Sequence, residues 1–252
     1  MCAGAQTGLT PPGTVATVPS TERLRPVNRL LEALPGVDRR RLLAECETVA
    51  VAFGDVLYAP PQELGHAYFP IDSFISLIMP IDAVCSLEVG LVGNEGMFGI
   101  PLALGVAVSP MQAVVQGAGS SLRIDAVSLR RELARAPALR HCIERYVSVH
   151  VSQLAQTAGC TRFHLVEARL ARWLLMTQDR AHASSFHATQ EFLALMLGVR
   201  RVGVTKAASA LQQRDLIRYS RGNITVLDRR GLKAASCGCY KADRTSYDRI
   251  LG

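Results

Sequence analysis

Short apolar runs separated by turn residues dominate the chain between about residues 49 and 125. Gly, Pro, Asn and Asp stand between the runs, which recur every eight to twelve residues. They are the alternating Val49, Val51 and Phe53, then residues 56–59, 66–69, 73–79, 84–91, 111–115 and 121–125. Many short strands at this spacing are typical of an antiparallel sandwich or barrel.

The N-terminal segment has a different composition. Residues 1–20 are uncharged and rich in Gly, Pro, Thr and Ala, so we predict a disordered tail there. Between residues 26 and 46, leucines at helical spacing predict two short helices that break at Pro35 and Gly36.

After residue 125 the apolar positions recur at spacings of three and four, which predicts helices. Ser128 is a candidate N-cap, and Gly159 is expected to end a long helix that begins after Pro137. The stripe along that helix consists of Leu139, Ile143, Tyr146, His150, Gln153, Leu154 and Thr157. Because polar residues interrupt it, we interpret this stripe as a seam between two chains; packing against the β domain is the alternative.

Two shorter helical patterns flank a glycine in the C-terminal third. Thr189 is a candidate N-cap, and Gly198 suits the left-handed turn that ends the first helix. The inward side of the second helix is predicted to contain Val202, Val204, Ala207, Ala208 and Leu211. Residues 216–220, 221–223 and 224–227 then read as strand, tight turn and strand. This order predicts a helix-turn-helix followed by a wing.

Charge is distributed unevenly along the chain. Residues 1–159 contain 12 Lys and Arg against 14 Asp and Glu, a balance of −2. Residues 160–252 contain 16 against 7, a balance of +9. A compact basic module beside a neutral one indicates a polyanionic partner, most simply nucleic acid.

The outward positions of the second helix carry the chemistry that DNA recognition needs. Arginine at the start of a recognition helix can donate two hydrogen bonds to guanine in the major groove of DNA. Wing residues usually contact the phosphate backbone of the DNA. The predicted DNA-binding residues are Thr189, Arg200, Arg201, Val202, Thr205, Lys206, Ser220 and Arg221. The alternative is an ordinary helical hairpin whose basic face is only solvated.

Residues 189–201, 211–212, 216–217 and 222–225 resemble the C-terminal module of a subgroup of the Crp/Fnr transcription regulators. The resemblance extends over about residues 25–240 and is strongest in the last third. It implies an α+β fold: an N-terminal antiparallel β-roll (double-stranded β-helix), a long dimerisation helix and a C-terminal winged helix-turn-helix. It also implies a homodimer that binds a palindromic operator in double-stranded DNA, and RNA polymerase is a candidate further partner.

On this resemblance we expect four segments. They are the tail at 1–20, a cyclic-nucleotide-binding-like effector domain at 21–135, the dimerisation helix at 136–159 and the DNA-binding domain at 160–252. By position, Arg200, Arg201, Val202, Thr205 and Lys206 fall where the family contacts bases.

The expected effector pocket departs from the family pattern. Its residues are Asn94, Glu95, Met97, Gly99, Met111 and Gln112. Members that bind cyclic nucleotides use a Glu for the ribose and an Arg for the phosphate. Here Gly99 and the following Ile-Pro replace that Glu, and Met111 and Gln112 replace the Arg. A buried phosphate without a cation is costly, so we expect ordinary cyclic nucleotide binding to be lost.

Other chemistry has less support in the sequence. The seven cysteines are scattered, and Cys237 and Cys239 offer only two ligands, so a packed pair is preferred to a metal site; no metal or cofactor is expected. Only His66 lies in the β region, which leaves an oxygenase-type site without ligands, and we expect no enzymatic activity.

We also expect no membrane association, no secretory signal, and a cytoplasmic location. The sequence thus predicts a sequence-specific transcription regulator. The alternative is a β-roll protein that senses a non-nucleotide ligand or a redox or metal signal and binds nucleic acid without specificity.

Overall fold

The computed structural model describes residues 28–82 and 85–252, so the predicted tail at 1–20 lies outside the described residues. Within these ranges the chain forms an N-terminal β-roll, a long central helix and a C-terminal helical domain with a small sheet. The predicted α+β class and its three-part order are therefore confirmed. No helix in this part of the chain is long and apolar enough to cross a membrane.

The β-roll consists of two antiparallel sheets packed around one core. Its strands are β1 (Glu47–Val51), β2 (Val56–Tyr58), β3 (His66–Pro70), β4 (Phe74–Pro80), β5 (Ser86–Val92), β6 (Gln112–Gly117) and β7 (Gly119–Asp125). The strand orders are β1-β7-β3 and β2-β6-β4-β5. Phe69, Ile75 and Ile124 are almost completely buried between the sheets. Short apolar runs between turn residues thus placed these strands, several of which, such as β4, are buried on both sides.

Four helices flank the roll: α1 (Arg29–Glu32), α2 (Gly36–Ala44), α3 (Ile100–Ala103) and α4 (Ala126–Arg135). The predicted break between the first two, at Pro35 and Gly36, is confirmed. The predicted N-cap of α4 is wrong. Asp125, not Ser128, precedes the helix, and its carboxylate accepts hydrogen bonds from the backbone N–H groups of Val127 and Ser128 at 2.9 Å.

The central helix α5 (Pro137–Phe163) is longer than predicted. Gly159 lies inside it, and the backbone N–H of His164 closes the last turn on the carbonyl of Cys160. A helix-interior glycine costs only about 1 kcal/mol relative to alanine. Burial of Cys160 against the C-terminal domain, in a cluster with other cysteines, stabilises the extra turn.

The N-terminal half of the predicted seam on α5 packs within the chain instead, whereas Gln153, Leu154 and Thr157 are only half-buried. Leu139, Ile143 and Tyr146 belong to the core of the roll, where each is about 2% exposed. The face left open is different, because Val151 is 58% exposed and Ala155 and Ala158 are also exposed. Sequence periodicity could not separate the two faces, since both repeat at helical spacing.

The C-terminal domain follows a short connection. It contains α6 (Val166–Ala181), β8 (Ser185–His187), α7 (Gln190–Leu197), α8 (Arg201–Gln213), β9 (Ile217–Ser220), β10 (Asn223–Val226), α9 (Arg229–Ala235) and α10 (Cys239–Leu251). Its core includes Leu174, Leu193, Val204 and Leu211. Residues 185–187, shortly before Thr189, form β8, the third strand of the wing sheet, in the order β8-β10-β9.

The roll and the C-terminal domain are in direct contact. The indole N–H of Trp173 in α6 donates a hydrogen bond of 2.9 Å to the carboxylate of Glu88 in β5, which also accepts one from Ser76. Nearby, the ring of Phe53 lies 6.0 Å from that of Phe192 in α7. Burial raises the pKa of Glu88 to about 7, although both hydrogen bonds oppose the change.

Candidate nucleic-acid interface

The helix-turn-helix begins with a capped helix. The Thr189 hydroxyl accepts a hydrogen bond of 3.1 Å from the Phe192 backbone N–H, as predicted for an N-cap. Gly198 ends α7 with φ of +60°, a conformation that favours glycine. A Cβ at Gly198 would also lie 2.9 Å from the side chain of Leu87, so the turn packs closely on the roll.

Helix α8 has one buried and one open side. Val204, Ala207, Ala208 and Leu211 are buried, as predicted. Val202 was predicted to point inward, yet it is 58% exposed. Val204 is the first buried residue of the helix, and the side chains of Arg201, Val202, Thr205 and Lys206 on either side of it are exposed.

The wing has a tight turn between β9 and β10. Arg221 and Gly222 both have positive φ, +48° and +81°, as a type I′ hairpin turn requires. A Cβ at Gly222 would lie 2.6 Å from the His187 ring, so glycine is needed there for space as well. His187 contacts the Asn223 side chain at 3.2 Å, which joins β8 to β10 beside the turn of the wing.

All eight predicted DNA-binding residues have exposed side chains on this domain. They lie at the start of α7, on the first turns of α8 and at the tip of the wing, and comprise Thr189, Arg200, Arg201, Val202, Thr205, Lys206, Ser220 and Arg221. The helix-turn-helix and the wing that the sequence predicted therefore carry exposed basic side chains.

Arg201 has neighbours that sequence reasoning missed. Its guanidinium lies 3.0 Å from the carboxylate of Glu191 and 3.3 Å from the amide oxygen of Gln190, which also accepts from Thr205 at 2.9 Å. The Arg201 and Glu191 side chains are 64% and 56% exposed. An ion pair this exposed contributes at most about 1 kcal/mol, so Arg201 can leave it for a stronger acceptor. Gln190 and Glu191 lie on the face of α7 that meets α8. Only the crossing of the two helices brings them to Arg201 and Thr205.

The predicted effector residues do not form one group. Asn94 and Glu95 line a cavity of about 310 Å³ between the roll, α5, α6 and α10. Met97 is 1% exposed in the roll core, and Gly99 begins α3 with φ of +105°. Met111 and Gln112 are half-buried at the start of β6, and neither lines that cavity.

Glu95 is held by a partner that the sequence did not indicate. The Arg180 guanidinium in α6 lies 2.6 Å from its carboxylate, with both side chains largely buried. The cavity also contains the carboxylates of Asp179, Asp243 and Asp248. These acids offset the arginines at the site, so the cavity lacks the concentrated positive charge that a phosphate needs.

Cys237 and Cys239 are both buried, as the preferred interpretation of a packed pair expects, and they have neighbours that the sequence did not indicate. The end of α5 brings Cys160 and His164 beside them, and the four candidate ligand atoms lie within 4.8 Å of one another. A hydrogen bond from Cys237 lowers the pKa of the Cys160 thiol, with help from Arg172. In the sequence, Cys160 and His164 give no indication of Cys237 and Cys239, because more than seventy residues separate the two pairs.

Comparison with known proteins supports this picture of the C-terminal domain. Residues 168–235 match the family model of the Crp-like helix-turn-helix domain. The chain contains a Crp-like helix-turn-helix domain. None of the curated proteins compared with the chain matches it.

Solved structures resemble most of the chain at low sequence identity. A protein of Eubacterium rectale assigned to the Crp/Fnr family has a TM-score of 0.66 at 15% identity, covering 82% of this chain and 96% of its own. FixK2 from Bradyrhizobium japonicum has a TM-score of 0.65 at 12% identity, covering 76% of this chain and 98% of its own. The c-di-GMP-responsive regulator CLP of Xanthomonas campestris has a TM-score of 0.63 at 18% identity, covering 76% of this chain and 99% of its own. The fold is that of Crp/Fnr regulators, and the resemblance stated from the sequence is confirmed.

Proposed function

We propose that this protein is a cytoplasmic, homodimeric transcription regulator that binds a palindromic site in double-stranded DNA through α8. The observation that carries the proposal is the exposed N-terminal turn of α8. There Arg200, Arg201, Thr205 and Lys206 project from a helix whose opposite side is buried. The same function explains why the domain that contains them holds the chain's positive charge, and no catalytic role is proposed.

The contacts follow from the chemistry of each side chain. Arg201 exchanges the exposed carboxylate of Glu191 for guanine O6 and N7 in the major groove, and Arg200 and Lys206 flank it. Ser220 and Arg221, at the tip of the wing, contact phosphates. Thr189 lies at the N-terminus of α7, where a helix dipole favours a phosphate oxygen.

For the dimer, the open face of α5 is the candidate surface. Val151, Ala155 and Ala158 form an exposed strip of small apolar residues at helical spacing. Small residues allow two helices to approach closely, and pairing along this strip would place one α8 on each side of a two-fold axis. We propose this strip as the seam in place of the stripe that packs on the roll.

Selection of bound duplexes from a random pool tests the proposal. We expect an inverted repeat with half-sites about 34–36 Å apart, because two recognition helices must enter successive major grooves. Arg201→Ala should weaken binding by about 1–3 kcal/mol and relax the preference at one base pair in each half-site. Arg249→Ala, an exposed arginine at the end of α10, is the matched control and should keep the selected sequence.

Two outcomes would contradict it. One is an Arg201→Ala protein that binds specific and random duplexes as the parent does. The other is a pool without any enriched repeat. Measurement at two salt concentrations separates the release of counterions, which any basic surface produces, from base recognition.

For the effector domain, we propose that cyclic nucleotides are not bound in the ordinary way. The position expected to pair with phosphate is occupied by Met111 and Gln112, and Glu95 is already paired with Arg180. A phosphate in this region would lose water without gaining a cation.

Cyclic AMP at saturating concentration should therefore leave the melting temperature unchanged. A ligand that binds the native state alone must raise it, by an amount that grows with the ratio of ligand concentration to Kd. Differential scanning fluorimetry at increasing cyclic AMP checks this. A rise that depends on concentration would refute the proposed loss of nucleotide binding and leave the DNA-binding proposal intact.

A further inference from the structure

Four side chains from distant parts of the chain converge where the central helix meets the C-terminal domain. Cys160 lies in the last turn of α5 and His164 directly after it. Cys237 precedes α10, and Cys239 is its first residue. The Sγ atoms of Cys160 and Cys237 are 3.5 Å apart, as are Cys239 Sγ and His164 Nδ1. We call these four residues the Cys3His cluster.

We propose that the Cys3His cluster binds one Zn²⁺ ion in tetrahedral coordination. Zinc bonds of about 2.3 Å to sulfur and 2.0–2.1 Å to nitrogen place tetrahedral ligand atoms about 3.6–3.8 Å apart. Two pairs at 3.5 Å match that spacing, and the widest separation, 4.8 Å, needs to close by about 1 Å. Three thiolates and an imidazole form a ligand set that favours zinc over hard cations such as magnesium.

The surroundings of the cluster suit its charge. Zinc with three thiolates and a neutral imidazole carries a net charge of −1. The guanidinium groups of Arg169 and Arg172 are largely buried beside it, and both are attracted electrostatically to Cys160. Gln156 donates a hydrogen bond of 2.9 Å to Cys239 Sγ, the kind of outer contact that orients a metal ligand.

A disulfide explains fewer of these contacts. A Cys160–Cys237 bond needs the sulfurs at about 2.03–2.05 Å, and it would leave Cys239 and His164 without a role. One ion uses all four groups. Because the protein supplies four ligands, no position remains for a substrate, and the site is structural.

The position of the cluster indicates what the ion does. Cys160 and His164 lie immediately before the connection to α6, whereas Cys237 and Cys239 follow the helix-turn-helix and the wing. A bound zinc therefore ties the end of α5 to α10 and fixes the C-terminal domain relative to the central helix. This role holds whether or not the domain binds DNA.

Metal analysis of the full-length protein, purified under reducing conditions, tests the proposal. We expect one zinc per chain by mass spectrometry, and a lower melting temperature after chelation that added Zn²⁺ restores. Co²⁺ added to the zinc-free protein should give the intense visible absorption of a tetrahedral thiolate site. Cys237→Ala should abolish that spectrum, and His164→Ala should lower Co²⁺ affinity at least tenfold.

Two variants serve as controls. Cys142→Ala removes a cysteine outside the cluster, and Gly238→Ala adds a methyl group where nothing lies within 4 Å; both should keep one zinc. His164 is exposed, so its variant folds even if a cysteine variant does not. A reduced protein that binds neither Zn²⁺ nor Co²⁺, or Co²⁺ binding that His164→Ala leaves unchanged, would overturn the proposal. So would a Cys160–Cys237 disulfide in a protein that takes up no metal after reduction.

Discussion

Replacing Asp243 by Ala should lower the free energy of unfolding by about 3–5 kcal/mol. Asp243 in α10 and Arg172 in α6 form an ion pair of 2.6 Å, and their side chains are only 10% and 9% exposed. Burial raises the pKa of Asp243 despite the attraction of Arg172, so water loss already offsets much of the pair's benefit. Removing one partner leaves the other buried and charged, which is far more costly than never having buried the pair.

Urea or thermal unfolding measures this loss. Asp248→Ala is the control, because Asp248 lies one turn further along α10 and is exposed, and it should change stability by less than about 0.5 kcal/mol. The double variant Arg172→Met with Asp243→Leu should recover most of the lost stability, since it removes both charges and keeps the volume. Equal small effects for the two aspartates would show that water reaches Arg172.

The second large effect is a change in how stability depends on pH. The pKa of Glu88 is raised from 4.5 to about 7 in the folded chain by burial between β5 and α6. The folded state therefore binds more protons than the unfolded state between about pH 4.5 and pH 7. Stability from this group is fully present below pH 4.5 and is lost as the pH rises to about 7, by on the order of 3 kcal/mol in total.

Glu88→Gln should remove that loss. The glutamine oxygen can accept the Trp173 indole N–H, and its amide can donate to Ser76, so the local contacts remain. We expect the stability difference between variant and parent to grow in the variant's favour from pH 5 to pH 8. Urea unfolding at several pH values checks this, and Glu63→Gln, at an exposed position, is the control. A difference that stays constant with pH would refute the buried protonation.

The Glu88 prediction concerns a contact between the C-terminal domain and the roll, and the Asp243 prediction concerns a contact between two helices of that domain. Sequence patterns reveal neither contact. Trp173 reads as one apolar position in an amphipathic helix, and Glu88 as one polar residue in a strand. Their hydrogen bond joins residues 85 positions apart, and it forms where α6 packs on the roll. The same holds for Arg201, whose neighbours follow from the crossing of α7 and α8.

Local physics accounts for what could be predicted. Strands in the roll follow from short apolar runs bounded by turn residues, and the cap at Thr189, the left-handed Gly198 and the turn at Arg221 and Gly222 follow from backbone stereochemistry. Errors arose where a local rule competed with packing. Gly159 was expected to end α5, but burial of Cys160 continues the helix past it. Asp125 is both the last residue of β7 and the N-cap of α4, so the apolar run that predicts the strand conceals the cap.

The amino-acid order alone determined the three-part order of roll, long helix and C-terminal domain, the helix-turn-helix with its wing, and which basic side chains point outward, because each depends on residues close together in the chain. Tertiary structure decided which face of α5 stays open, which partner holds Glu95, and that two cysteine-containing segments meet at the end of α5. These features depend on how separate elements pack, and residues more than seventy positions apart share no local pattern that could reveal it.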